Sequence, residues 1–190
     1  MNNTLKKILK IVLIAETVFA SNILNGQARD AVKAANAVNE KKAAAKIFDG
    51  DIAEFLVKSA DARMMDAQEG KLAAAMGTTT AIRNYGKRMV KDQAMLLKKI
   101  KALAASKKIS LPATISHEKQ EGKDELLAKA GKEFDTKFMK MMKLDHVRDI
   151  KLFKKAATCA DGGVRAFAVR YLPLIEDHLN KINELADKYK

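Results

Sequence analysis

The chain has no tryptophan and only two prolines, and aromatic side chains make up just 5% of its residues. Sheets draw on aromatic and β-branched residues, whereas the Ala, Lys, Leu and Met that dominate here favour helix. The composition therefore argues against a sheet and for an all-α domain. A single cysteine, Cys159, rules out an intramolecular disulfide. It is expected to sit half-buried as a small apolar residue. Enzyme signatures are also missing. There is no nucleophile elbow, no phosphate loop and no His-Glu zinc-protease pattern, so acyl or phosphoryl transfer is not indicated. The paired Glu-x-x-His repeats of di-iron bundles are absent as well.

No apolar run is long enough to span a membrane. The first residues instead carry the pattern of an export signal. Lys6, Lys7 and Lys10 precede a mostly apolar stretch, Ile11 to Ala20, that is interrupted by Glu16. Val18-Phe19-Ala20 and Gly26-Gln27-Ala28 both offer small-residue cleavage sites, and we assign residues 1–28 to a signal peptide. The alternative is an amphipathic helix that stays attached. No cysteine follows the run, so a lipid anchor there is not expected. The expected address is the periplasm or cell envelope.

The chain is strongly basic, with 36 Lys and Arg against 23 Asp and Glu. Such a balance fits nucleic acid, an acidic membrane surface or simple solubility. No aromatic-rich basic motif accompanies it, so nucleic acid is not the expected partner. An acidic envelope surface or an envelope protein remains.

Residues 29–50, rich in Ala and Lys, read as a linker or weakly helical arm before a helical domain over 51–190. Four long helices are predicted, over about 51–76, 80–106, 132–157 and 164–189, with a shorter crossing helix over about 116–130. Asp51 is the expected cap of the first, and Pro173 is expected to kink the last. Apolar residues recur at helical spacing in each long segment: Ile82, Met89 and Leu96 in the second, Phe134, Phe138 and Met142 in the third, Phe167, Ile175 and Ile182 in the fourth. This is the pattern of an antiparallel four-helix bundle.

Each stripe is broken near its middle by a polar residue. The interruptions are Asp66, then Asp92 with Gln93, then Asp145 and Asp149 beside His146, then His178. Helix midpoints coincide in a bundle whichever way each helix runs, so these residues should form one layer. A charge inside a bundle must be paired or coordinate a metal. Asp66, Asp92, Asp145, His146, Asp149 and His178 are thus candidate ligands for iron or manganese. Two alternatives stand beside this. Arg63, one turn from Asp66, could neutralise the layer as a buried ionic network. Met139, Met142 and His146 also share one side of a helix and could suit copper, although methionine at helical spacing is usually core filler. Asp177 and His117 fall outside the layer.

Several short stretches carry a resemblance in their order and spacing. They are Phe55-Leu56 with Lys58-Ser59-Ala60-Asp61, Gly70-Lys71-Leu72-Ala73, Arg88-Met89-Val90-Lys91-Asp92, Leu111-Pro112, Gly131 with Phe134-Asp135, Asp145-His146 with Asp149 and Leu152-Phe153, and Leu172-Pro173 with His178-Leu179. Over about residues 51–187 the chain resembles the bacterial domain of unknown function family 4142. The resemblance implies an exported, ferritin-like helical bundle, and members are often described as predicted outer membrane proteins. It implies no reaction. Two positions depart from the family's usual pattern: Gln93 replaces a histidine, and Arg63 replaces a small residue. Both departures weigh against a metal. The sequence leaves three readings open: a non-enzymatic envelope protein, a metal-binding bundle for storage or stress defence, and an intracellular basic protein that coats DNA.

Overall fold

The computed structural model describes residues 30–189. The expected export signal, residues 1–28, lies outside the described residues. Within them the chain is helical, with six helices and no strand: α1 (Ala31–Ala44), α2 (Gly50–Met76), α3 (Thr80–Ser106), α4 (His117–Leu127), α5 (Gly131–Ala156) and α6 (Gly162–Lys188). None of them is long and apolar enough to cross a membrane.

Local chemistry sets the helix starts. The Asp49 side chain, rather than that of Asp51, caps α2 by accepting from the Asp51 N–H. Thr79 caps α3 through the Ile82 N–H, Ser116 caps α4 through the Lys119 N–H, and Asp161 caps α6 through the Val164 N–H. Each cap satisfies an N–H that the first helical turn leaves unpaired. α6 runs from Gly162 to Lys188 with Pro173 inside it.

The long helices pack in antiparallel pairs. α2 lies along α3 and α5, and α6 lies along α3 and α5. The close approach of α2 to α3 depends on two glycines. A Cβ on Gly86 would sit 2.6 Å from the Gly70 carbonyl oxygen and from the Ala74 nitrogen. α4 packs against α2 and α5. Its first turn is held by Asp61 of α2, which accepts from the Ser116 N–H at 2.8 Å and the Ser116 hydroxyl at 3.0 Å.

The segment before α2 is more ordered than its sparse apolar pattern suggests. α1 packs on α2, and its Asn39 is buried and exchanges two hydrogen bonds of 2.8 Å with the Ser110 backbone. A polar side chain holds it in place, which an apolar periodicity cannot reveal.

The core has two apolar ends. One gathers Phe55, Leu56, Leu96, Ile100, Phe153 and Phe167. The other gathers Ile82, Tyr85, Met89, Phe134, Phe138 and Ile182. In the sequence of every long helix, buried polar residues fall between these two sets.

Candidate functional site

Residues three apart on a helix share a face. On α2 that face carries Arg63, Asp66 and Glu69, and all three are fully buried. Around them stand Gln93 of α3, His146 and Asp149 of α5, and His178 of α6, also buried. Asp92 and Asp145 sit at the margin, with side chains 18% and 14% exposed. The expected layer therefore exists, with four of its six proposed residues inside and two at its edge.

Arg63 neutralises part of it. Its Nη2 donates to Asp149 Oδ2 and lies 3.1 Å from Asp66 Oδ2. Its Nε and Nη1 have no hydrogen-bond partner. Burial lowers the Arg63 pKa, and the nearby charges of Asp66 and Asp145 oppose that shift.

One guanidinium does not balance this many carboxylates. Glu69 is buried with neither oxygen hydrogen-bonded. Burial, reinforced by the negative charge of Asp66 and Asp145, pushes its pKa well above the ordinary carboxylate range. Asp145 is also raised, chiefly by burial, with Lys119 opposing. Oxygens from Asp66, Glu69 and Asp145 all lie within 4.8 Å of one another. Three carboxylates gathered this closely are a candidate cation site.

The two histidines add nitrogen. Burial depresses the His146 pKa to about 4. It also lowers that of His178, against the opposing pull of Asp92. Both rings are therefore neutral near pH 7 and hold one N–H each. His146 Nδ1 donates to the Met142 carbonyl oxygen at 2.7 Å, and His178 Nε2 donates to Asp92 Oδ2 at 2.9 Å. Their other nitrogens, Nε2 of His146 and Nδ1 of His178, are buried lone pairs with no hydrogen-bond partner. The rings meet edge to face, 5.4 Å between centroids. A backbone carbonyl or carboxylate fixing one nitrogen while the other stays free is how metal-ligating histidines are held.

The family-model comparison adds the chain's kinship. A model described as a domain of unknown function, DUF4142, matches residues 33–185. The chain belongs to this family. The DUF4142 match begins inside α1, so the family domain includes the helix that the sequence reading treated as an arm. No curated protein and no solved structure matches the chain.

The sequence reading of this DUF4142 domain missed Glu69, which is three residues after Asp66 and so on the same face; that spacing was the available signal. Asp177 pairs with Arg88 and stays out of the layer, and His117 is exposed, as expected. Met139 and Met142 are buried in the apolar end with Phe134 and Phe138. The latter's carbonyl, not its sulfur, meets His146.

Proposed function

We propose that this protein is a ferritin-like four-helix bundle of the cell envelope that binds one divalent transition-metal ion in its core and has no catalytic role. The observation that carries the reading is Glu69. Its carboxyl group is enclosed, has no hydrogen-bond donor and lies within reach of two further carboxylates. A buried carboxylate in that position is stable only if protonated or bound to a cation. Asp66, Glu69 and Asp145 would supply oxygens, and His146 and His178, whose free nitrogens are buried in the same layer but outside that group of oxygens, would favour a transition metal over calcium or magnesium if either joined it. The helix order supports the ferritin-like description: α3 and α5 run parallel and are joined through the crossing helix α4. The basic N-terminal pattern and charge support the envelope address.

Metal analysis of the full chain, purified without a histidine tag and loaded separately with iron, manganese and copper, tests the site. About one ion per chain is expected, with loss in Glu69→Gln. A stoichiometry far below one with all three metals overturns metal binding. Recovery of the native protein only from the cytoplasm overturns the envelope address.

A second reading has its own observation. Arg63 already engages Asp66 and Asp149, so the layer also fits a permanent ionic network without metal. A wild-type melting temperature unmoved by all three metals would favour it.

A further inference from the structure

We propose that Lys119 of α4 sets the charge of the ion that the buried carboxylates accept, favouring a divalent cation over a trivalent one, a role that rests on the metal-binding reading. An ion site selects by the charge of its lining as well as by its ligands. Asp66, Glu69 and Asp145 must be ionised to hold a cation, and Asp149 is ionised in its pair with Arg63. These four carboxylates face the one positive charge of Arg63, which engages Asp66 and Asp149. Three negative charges would remain, and they would suit a trivalent ion unless a second cation faces the layer.

α4 supplies that cation. Its cap, Ser116, is bonded to Asp61 of α2, and its Lys123 donates to Gln68 of α2 at 3.1 Å. Lys119 falls three residues after Ser116 and four before Lys123, on the same side of the helix. It is therefore held along the stretch of α2 between Asp61 and Gln68, which contains Asp66. α5 fixes the second coordinate. Lys137 pairs with Glu125, and a Cβ on Gly122 would lie 3.6 Å from the Met141 methyl carbon. The two helices thus run in opposite directions, and the next turn of α5 brings Asp145 level with Lys119. Lys119 is only half-exposed there.

The field of Lys119 is felt where this register puts it. It opposes the upward pKa shifts of both Glu69 and Asp145. On Asp145 it outweighs Arg148, although Arg148 lies 3.7 Å away. The Arg148 side chain is 61% exposed, so water and salt screen it. Asp92 is answered at the margin by Arg88 and leaves the count unchanged. With Lys119 included, the four carboxylates face two cations, and two negative charges remain. One divalent ion closes that balance. A trivalent ion would leave a positive charge uncompensated inside the core, where such a charge is costly.

Isothermal titration of the full chain, purified without a histidine tag, with manganese(II) and separately with terbium(III) measures the preference. Lys119→Gln and Lys119→Met both remove the charge and should shift the ratio of the two affinities towards terbium(III) by at least about tenfold. Lys119→Arg keeps the charge and should leave the ratio within about threefold of wild type. So should Lys129→Gln, which removes a charge from an exposed position beyond the end of α4. Circular dichroism melts establish that each variant is folded. An unchanged ratio in the two neutral variants would overturn the role of Lys119 and leave metal binding standing. A shift of the same size in Lys119→Arg or Lys129→Gln would trace the effect to shape or to net charge and overturn it as well. Binding of neither ion by the wild type would overturn the metal reading itself, and the role of Lys119 with it.

Discussion

Arg63 of α2 donates a hydrogen bond to Asp149 of α5, 86 residues away in the chain, inside a core closed to solvent. The pair joins two helices that are not neighbours in sequence. Removing one partner of a buried pair leaves the other charge uncompensated, which costs about 3–5 kcal/mol. Asp149→Asn should therefore destabilise the metal-free protein, by less than that amount because Asp66 still lies 3.1 Å from the guanidinium. Asp145→Asn should cost much less, because Asp145 is marginal and its charged form is already disfavoured. Urea unfolding of both variants checks the contrast. Equal losses would show that the guanidinium does not discriminate between them.

In the metal-free protein, His146 should contribute a loss of stability as pH falls from about 6.5 to about 4. His146 has a folded pKa of about 4, below its free value. In that window the unfolded chain takes up a proton that the folded core refuses, so the unfolded state gains. The shift corresponds to about 3 kcal/mol, present above the unfolded pKa and lost on approaching the folded one. His178 is displaced in the same direction. In His146→Gln the slope of stability against pH across this window should flatten. An unchanged slope would remove His146 as its source.

Glu69 works in the opposite sense. Its pKa is raised in the folded state, so its contribution is full below the ordinary carboxylate value and is lost as pH rises towards the folded one. Glu69→Gln keeps the shape and removes the charge. At pH 8 without metal the variant should match or exceed wild type in melting temperature, while failing to gain from added metal. A variant that melts lower than wild type without metal would mean that Glu69 has a partner.

Gly86→Ala should destabilise the domain although alanine is the better helix former by about 1 kcal/mol. The new methyl would strike backbone atoms of α2 at 2.6 Å, and backbone cannot rotate aside. An overpacking loss of about 1–3 kcal/mol is expected, read as a lower denaturant midpoint. Gly50→Ala, with nothing within 4 Å of its Cβ position, serves as the control and should be near neutral.

Much of this architecture was readable beforehand, for identifiable reasons. The four long helices were legible because Phe, Met, Leu and Ile recur at helical spacing, and α3, for example, spans Thr80–Ser106 as expected. Asp66, Asp149 and His178 were legible because each breaks such a stripe. Glu69 was not, because α2 is buried on most of its surface and a broad apolar face hides which polar residue points inward. Asp135 was missed for another reason. It is buried, yet it accepts from the Thr78 N–H at 3.2 Å and the Tyr189 hydroxyl at 2.6 Å. Its partners lie 57 and 54 residues away, which no local pattern encodes.

The two phenylalanine-bearing ends and the charged waist between them have a consequence for alignment. Apolar side chains are interchangeable enough that one helix could ratchet past its neighbour by a turn, about 5.4 Å, and still find greasy company. The waist forbids this. Such a slip of α5 would drag Asp149 away from Arg63 and strand it among hydrocarbons, so the ionic belt acts as a vernier that admits a single setting of each rod against the others.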